Sequence, residues 1–200
     1  MTWYGQFNTD EIIAGFFPDG YIGSAIEVGA AHGTVSSNTY HFELKGWLCL
    51  CIEPNPRLYA ALRNNRKHHL PYAVGDNNTN GVPFTIVTLS NGDESAISGL
   101  RVDNRLVETH PVIKQEVITV PVRTLDTCVA EFGQFSNIDF VSIDTEGTEY
   151  DVLRGFDLER WFPKLLVIEN NFDDPQITDY LKGFGYEKVR RHAINDFYTC

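Results

Sequence analysis

The sequence is short of positive charge and has no long apolar run. Its 200 residues include 16 lysines and arginines against 27 aspartates and glutamates, which gives a net charge of −11. An acidic surface repels nucleic-acid phosphates and anionic lipids, and no apolar stretch approaches the about 18 residues that a membrane-spanning helix needs. We therefore expect neither a nucleic acid nor a membrane as a partner, and a small or neutral ligand fits better.

Cysteine is also scarce. The four cysteines (Cys49, Cys51, Cys128 and Cys200) do not have the spacing of metal ligands, and we interpret them as small buried hydrophobic residues in a reducing compartment. The opening Met-Thr-Trp-Tyr-Gly-Gln lacks the positive and apolar regions of a signal peptide. The expected location is the cytoplasm.

Strand and helix patterns alternate along most of the chain. Its length and even composition predict one domain over residues 1–200, with a short amino-terminal segment (1–22) and an insertion at about 77–122. Strands are predicted at 24–28, 47–52, 70–74, 82–89, 117–122, 138–143, 165–168, 186–189 and 197–199, and helices at 36–44, 57–67, 125–132, 148–155 and 174–183. This alternation predicts an α/β fold, a doubly wound and mostly parallel sheet with helices on both faces.

The carboxyl ends of the predicted strands indicate where a ligand would bind. In open parallel sheets the ligand lies beyond these ends, which here fall at 27–33, Glu53, 75–76, 144–147 and 169–170. Within the insertion, the polar segment 93–99 separates two strands, and we interpret it as a loop near the ligand because long irregular loops are often functional.

The first strand ends in Glu27-x-Gly29-x-x-x-Gly33, which is not the Gly-x-Gly-x-x-Gly of a dinucleotide site. Glycines allow the backbone to approach a ligand closely. An acidic residue in place of the first glycine repels a pyrophosphate but suits an ammonium or sulfonium group, which favours S-adenosylmethionine over NAD. Glu53 stands where a carboxylate accepts both ribose hydroxyls. The alternative is an ordinary glycine turn beside an exposed glutamate.

A set of motifs resembles the FkbM-type methyltransferases. The motifs are Gly29-Ala30-Ala31-His32-Gly33, Ser37-Asn38-Thr39, Gly46-Trp47, Ile52-Glu53-Pro54-Asn55-Pro56, Asn65-Arg66, the block from Ile138 to Glu149, and Val152-Leu153-Arg154-Gly155. The resemblance covers nearly the whole chain. It implies a Rossmann-like class I methyltransferase with a seven-stranded sheet and a β insertion, which uses S-adenosylmethionine to methylate a hydroxyl of a sugar, glycan or natural product. The family's Ser-Gln-x-x-x-Asp opening is here Gly5-Gln6 with Asp10, and His32 replaces a frequent acidic or asparagine residue.

The resemblance also implies cofactor contacts at matching positions. The methionine end would be held by Glu27, Gly29, Ala30 and Gly33, the ribose by Glu53, and the adenine by Ala73, Val74, Gly75 and Asp76. Gln6 would close over the cofactor from the amino-terminal segment. Ser37 and its neighbours Asn38 and Thr39 would receive the cofactor carboxylate, with helix capping as the alternative.

Asp144 is the main catalytic candidate because it ends a buried strand at the predicted ligand edge. It would serve as proton acceptor or as metal ligand. Glu146 is a further catalytic candidate, whereas Glu149 is better explained by the favourable placement of acid at a helix start. His192 is a candidate general base, with an ordinary surface strand position as the alternative.

Asp144, Glu169 and Asn170 supply three oxygen ligands from adjacent strand ends, an arrangement similar to the metal triad of catechol O-methyltransferases. Oxygen ligands of this kind suit Mg²⁺. The lysine base of those enzymes corresponds to Gly147 here. The alternative is that these side chains bind the acceptor or neighbouring backbone directly.

Two other functions stay open at this stage: an NAD-dependent oxidoreductase on a similar sheet, and a non-catalytic cofactor-binding module. We expect the insertion and the amino-terminal segment to form the acceptor pocket. Because that segment is short, the site is either open to a large glycan or completed by a second subunit in a homo-oligomer.

Overall fold

The computed structural model describes residues 2–94 and 96–200. Its strands are β1 (Ser24–Val28), β2 (Leu48–Ile52), β3 (His69–Leu70), β4 (Ala73–Val74), β5 (Thr79–Leu89), β6 (Val112–Arg123), β7 (Phe140–Ile143), β8 (Leu165–Glu169), β9 (Glu187–His192) and β10 (Asn195–Thr199). Its helices are α1 (Thr9–Ala14), α2 (Tyr40–Leu44), α3 (Pro56–Asn65), α4 (Asn104–Thr109), α5 (Leu125–Phe132), α6 (Glu149–Arg154), α7 (Leu158–Trp161) and α8 (Pro175–Lys182).

Seven strands form the main sheet in the order β3-β2-β1-β7-β8-β10-β9. The first five are mutually parallel, while β10 runs antiparallel to both β8 and β9. The predicted doubly wound, mostly parallel seven-stranded sheet is thus confirmed. Continuous burial along β1, β7 and β8 agrees with their mostly apolar sequences, since helices cover both faces of such strands.

Alternate residues of the central strands enter two separate cores, one on each face of the main sheet. Ile26 and Ile143 belong to the larger core, which also includes residues of α5, α6, α7 and α8. Ala25 and Phe140 belong to the other, which includes Trp47. This division follows from the two-residue period of a strand.

The register of the main sheet brings four strand ends to one level. Val28 is paired with Ile52 on one side and with Ile143 on the other, and Ile143 is paired with Ile168. The residue after each of these lies at the ligand edge, and these residues are Gly29, Glu53, Asp144 and Glu169.

The insertion forms a second sheet in the order β4-β6-β5, where β5 and β6 are antiparallel. The predicted single strand at 70–74 is wrong, because β3 belongs to the main sheet and β4 to the second one. Pro71 lies between them, and it has no N–H to continue a ladder. The short helix α4 also lies in the insertion, where no helix was predicted.

The predicted helix at 36–44 begins later than expected, because only Tyr40–Leu44 is helical. The hydroxyls of Ser37 and Thr39 and the backbone N–H of Asn38 all donate hydrogen bonds to the Glu27 carboxylate. Side-chain bonds of this kind compete with helix formation, and here they hold the segment in an irregular path.

Three of the four cysteines are buried, and all four are free; Cys200 is exposed, contrary to the expectation. Among the described residues, no helix has both the length and the apolar composition needed to cross a membrane.

Candidate functional site

A cleft with a volume of about 230 Å³ lies over the carboxyl ends of β1, β2 and β7. Residues of the insertion form its opposite wall. Of the residues predicted to form the site, the cleft is lined by Gln6, Gly29, Ala30, Glu53, Ala73, Val74, Asp144, Glu146 and Glu169. The structure therefore brings most of the predicted site together on one surface.

Gly29 occupies the closest approach between two strand ends. Its φ is +82°, and a Cβ placed on it would lie 1.7 Å from the carbonyl oxygen of Asp144. The N–H groups of Gly29 and Ala30 both donate to the carbonyl of Ile52. Only glycine fits this position, because both the backbone conformation and the contact exclude a side chain.

Glu53 is nearly inaccessible, with 5% of its surface exposed, although it lines the cleft. One carboxylate oxygen accepts the N–H of Ala31 at 2.9 Å and the other accepts the N–H of Asn55 at 2.8 Å. Burial raises the pKa of Glu53 to about 8, although the two hydrogen bonds act to lower it. The carboxyl group therefore lies against the glycine turn with lone pairs still free to accept ligand hydroxyls.

Glu27 does not line the cleft, contrary to the expectation that it holds the methionine end. Its carboxylate accepts three hydrogen bonds from the segment 37–39, and the guanidinium of Arg66 lies 3.4 Å away. Arg66 also contacts Glu43 at 3.2 Å and donates to the carbonyl of Gly33 at 3.0 Å. Glu27 and Arg66 thus form a buried network behind the glycine turn.

Gly33 and Ser37 also lie outside the cleft lining, so the direct cofactor contacts expected of them are not supported. A Cβ on Gly33, whose φ is +82°, would lie 2.4 Å from Leu62 of α3. Ser37 donates to Glu27 and accepts from Arg66. Both residues pack the turn against its support rather than against a ligand.

The expected adenine site includes Ala73 and Val74 but not Gly75 or Asp76. The carbonyl of Gly75 would lie 2.1 Å from a Cβ on Gly155, so this segment packs against the end of α6. Asp76 forms an ion pair of 3.2 Å with Arg154. The corresponding wall of the cleft is instead completed by Tyr72 and, from the insertion, Phe84 and Leu100.

Asp144, Glu146 and Glu169 form a carboxyl cluster in which one oxygen of each lies within 4.8 Å of the others. Burial is the main cause that raises the pKa of all three groups; Glu149 raises that of Asp144 further, and Asp144 raises those of Glu146 and Glu169. Glu146 has a φ of +59°, a strained backbone conformation for this residue. Burial and mutual repulsion therefore favour the protonated form of these carboxyl groups.

The side chain of Asn170, predicted as a metal ligand, makes other contacts. Its amide donates to Asp196 and to the carbonyl of Asp174, and its carbonyl oxygen accepts the N–H of Asp174. These bonds connect Asn170 to the start of α8 and to Asp196. The third carboxyl group is that of Glu146.

His192 is not in the cleft lining, so its placement does not support a role as general base. Its Nε2 lies 2.9 Å from the carbonyl of Phe7. Since Phe7 follows Gln6, this contact secures the amino-terminal segment beside the site. Gln6 itself lines the cleft, and Gly5 pairs with Ser36.

The sequence motifs do not single out several cleft residues, notably Tyr72, Phe84 and His110. Asp93 also lines the cleft and lies in the predicted ligand loop, whereas no motif includes His110. Its sequence neighbourhood is polar, and only the return of β6 beside β5 brings it to the cleft. Ser95, also in the predicted loop, lies outside the described residues.

A second cavity of about 450 Å³ adjoins the cleft. Leu106, Glu146, Glu169 and Asn171 line both spaces. The far side of the second cavity is formed by the starts of α4 and α8, where the guanidinium of Arg105 lies 3.4 Å from the ring centre of Phe172. The amino-terminal segment, expected in the acceptor pocket, lines the cleft but not this cavity.

Comparisons with known proteins agree with this architecture. The model of the methyltransferase FkbM domain matches residues 27–188. The crystal structure of methyltransferase FkbM from Methylobacillus flagellatus KT is similar in fold, with a TM-score of 0.59 and 15% sequence identity. The similarity covers 99% of this chain and 48% of that one, so the chain spans about half the length of that protein. No curated protein matches significantly. The family match covers most of the sequence, and the chain belongs to the FkbM methyltransferase family.

Proposed function

We propose that the protein transfers a methyl group from S-adenosylmethionine to a hydroxyl oxygen of a sugar, glycan or natural product. The observation that carries the proposal is the register that places Gly29, Glu53 and Asp144 at one edge of the main sheet, where they line one cleft. Ligands of doubly wound sheets bind at this edge.

The chemistry of the cleft fits this donor better than a dinucleotide. Among the described residues that line it there is no lysine or arginine, whereas Glu53 and the carboxyl cluster lie along it. A pyrophosphate would lack a cationic partner here, and anions close to carboxylates are repelled. A sulfonium and an ammonium group would instead favour the ionised form of these acids and then meet groups of opposite charge. This difference favours S-adenosylmethionine over NAD.

Each element of the site has a defined part in this proposal. When bound, S-adenosylmethionine supplies a methyl group on a positively charged sulfur. Glu53 accepts hydrogen bonds from the ribose hydroxyls, and the turn at Gly29 and Ala30 gives the ligand access to the backbone. Asp144, at the end of β7, complements the positive charge of the sulfonium. Insertion residues such as Phe84 and Leu100 exclude water from the opposite wall.

The second cavity is the proposed acceptor site, because it meets the cleft at Glu146 and Glu169. Its lining includes the amides of Asn170, Asn171 and Gln176 and the ring of Tyr150. Amides and an aromatic ring provide hydrogen bonds and apolar contact for a hydroxylated ligand.

The first experiment is calorimetric titration with S-adenosylhomocysteine and, separately, with NAD. We expect binding of the thioether and much weaker binding of NAD; the reverse order would restore the oxidoreductase hypothesis. A labelled-methyl assay over a panel of glycans and polyketides then identifies the acceptor. Tight binding without transfer to any acceptor would instead support a non-catalytic module.

A matched pair of variants localises the reaction. Asp144→Asn replaces the carboxyl group at the strand end, and Asp179→Asn changes an exposed carboxylate of α8 that pairs with Lys182 at 3.3 Å. We expect turnover to fall by about 10² to 10³-fold in the first, the magnitude typical of a lost electrostatic contact to the transition state, and to be unchanged in the second. Near-normal turnover of Asp144→Asn would refute the assignment.

The carboxyl cluster also offers the oxygen ligands that Mg²⁺ prefers. Turnover before and after exhaustive chelation, with readdition of Mg²⁺, decides whether the reaction needs a cation. Full activity after chelation would reject metal dependence and leave Asp144, Glu146 and Glu169 as direct contacts of the ligands.

A further inference from the structure

We propose that His110 is the general base that takes the proton of the acceptor hydroxyl. This inference rests on the proposed methyl transfer and assigns a role that neither the motifs nor the family match provides. His110 follows α4, is half-buried, and lines the cleft from the side of the insertion, opposite the carboxyl ends of the main sheet.

The imidazole lines the cleft and contacts a residue that lines both cavities. Leu106, one helical turn before His110, lines both the cleft and the second cavity, as do Glu146 and Glu169. The Nδ1 atom of His110 lies 2.8 Å from the carbonyl oxygen of Leu106, so the ring is held next to this residue. A donor in the cleft and an acceptor in the second cavity would therefore meet close to the ring.

The same contact determines which ring nitrogen is available. A carbonyl oxygen only accepts hydrogen bonds, so Nδ1 carries the hydrogen in the neutral ring and Nε2 carries the lone pair. Nδ1 also lies 3.3 Å from the hydroxyl of Thr109. Among residues 2–94 and 96–200, no hydrogen-bond partner occupies Nε2, and this nitrogen is free to accept a proton.

The carboxyl groups of the cluster are less suited to this task. They crowd within 4.8 Å of one another, and the carboxyl of Glu169 is hydrogen-bonded to Asp144. With a bound cation they would be its ligands, and without one they share protons among themselves. In both cases the imidazole is the group left to accept the proton of the acceptor hydroxyl.

Acidic groups around the cleft would stabilise the imidazolium once it forms. Asp93 and Glu94 line the cleft on the side of the insertion, while Glu53, Asp144, Glu146 and Glu169 line it from the ends of the main-sheet strands. Attraction between these groups and a protonated His110 favours proton uptake during the reaction.

The step balances as follows. The acceptor oxygen forms a bond to the methyl carbon while the bond between this carbon and sulfur breaks. The electron pair of the broken bond stays on sulfur, which becomes a neutral thioether. The hydroxyl proton moves to Nε2 of His110. The imidazolium then releases this proton to water once the products have left the cleft.

The test compares His110→Ala, His110→Gln and the control His68→Gln, a histidine that packs against Phe132 away from the cleft. We expect kcat to fall by about 10² to 10⁴-fold in both His110 variants, the usual contribution of general-base catalysis. The Kd for S-adenosylhomocysteine should stay within about threefold, as for a residue that acts on the acceptor. If the Ala variant does not fold, the Gln variant still provides the test, because its amide can donate to the carbonyl of Leu106.

Added imidazole should restore turnover of His110→Ala, because a free base can enter the open cleft, whereas the non-basic ring pyrrole should not. Nitrogen NMR of the unliganded protein gives a readout apart from turnover: we expect the resonances lost in His110→Gln to be those of an Nδ1–H tautomer. Turnover within threefold of wild type, a loss that imidazole does not restore, or an Nε2–H tautomer would each overturn the inference. Absence of transfer by the wild-type protein would instead overturn the proposed function, and the NMR result would still report the state of His110.

Discussion

Replacing Glu53 with Gln should change how the stability of the protein depends on pH. The side chain is 5% exposed, and its two oxygens accept the N–H groups of Ala31 and Asn55. Burial raises its pKa from 4.5 to about 8. At neutral pH the folded protein therefore holds a proton that the unfolded chain releases.

The magnitude follows from proton linkage. A pKa that is higher in the folded state means that the full stability contribution of the group is present below pH 4.5 and is lost progressively as pH rises to about 8. One pKa unit corresponds to about 1.4 kcal/mol, so the shift of the Glu53 pKa changes the free energy of unfolding by at most about 5 kcal/mol over this pH range. Glutamine does not titrate, and the Glu53→Gln protein lacks this component.

The substitution also has a cost that does not depend on pH. A glutamine side chain has one carbonyl oxygen, so only one of the two backbone N–H groups keeps its partner. Leaving the other N–H unpaired lowers the free energy of unfolding by about 1–3 kcal/mol. We therefore expect Glu53→Gln to be less stable than the wild type at pH 4.5 and more stable at pH 8.5.

Urea-induced unfolding at several pH values between 4.5 and 8.5, followed by circular dichroism, measures both free energies of unfolding. Glu159→Gln is the matched control, because Glu159 is exposed on α7. The difference in free energy of unfolding between Glu53→Gln and the wild type should change by several kcal/mol across this pH range. A difference independent of pH would refute the reasoning about burial.

Two further substitutions test the support of the glycine turn. Gly29→Ala should lower the free energy of unfolding, measured in thermal melts, much more than Gly20→Ala. Both glycines have a positive φ, but only at Gly29 would a Cβ meet the carbonyl of Asp144. Equal losses would show that backbone strain alone matters. Arg66→Met should lower the free energy of unfolding by about 3–5 kcal/mol, the usual effect of leaving a buried charge unpaired. Adding Glu27→Gln should restore part of this loss. Strictly additive losses in urea unfolding would contradict the proposed network.

The central strands could be predicted from the sequence because they are buried on both faces. β1 was predicted at its observed bounds, and the predictions for β2 and β8 differ by one residue at one end. Continuous apolar segments between turn residues give a strong signal, since helices cover these strands on both sides. The same strands fixed the positions of Glu53, Asp144 and Glu169 at the ligand edge.

The insertion was harder to predict for the opposite reason. β6 extends over Val112–Arg123, but only 117–122 was predicted, because its first half contains the polar run Lys114-Gln115-Glu116 and is largely exposed. Pairing with β5 holds this part of the strand, and that partner is distant in sequence. His110, just before β6, was therefore not assigned to the cleft.

The direction of a side chain was the other limit. Both Glu27 and Glu53 are acidic residues near the ends of neighbouring parallel strands, yet Glu53 faces the cleft and Glu27 faces Arg66. Glu27 lies two residues before Gly29, still inside β1, whereas Glu53 is the first residue after β2. The polar sequence around Arg66 gives no sign of a buried guanidinium.

Glu53 and Arg66 together explain how the glycine turn keeps its shape. Glu53 holds the turn from the cleft side through the N–H of Ala31, and Arg66 holds it from behind through the carbonyl of Gly33. Ala31, between these contacts, has a φ of +46°, a conformation that a non-glycine residue adopts only when its surroundings impose it. Because the supports are built from the protein's own residues, the turn is formed before a ligand binds. Binding then avoids the entropy cost of ordering this loop.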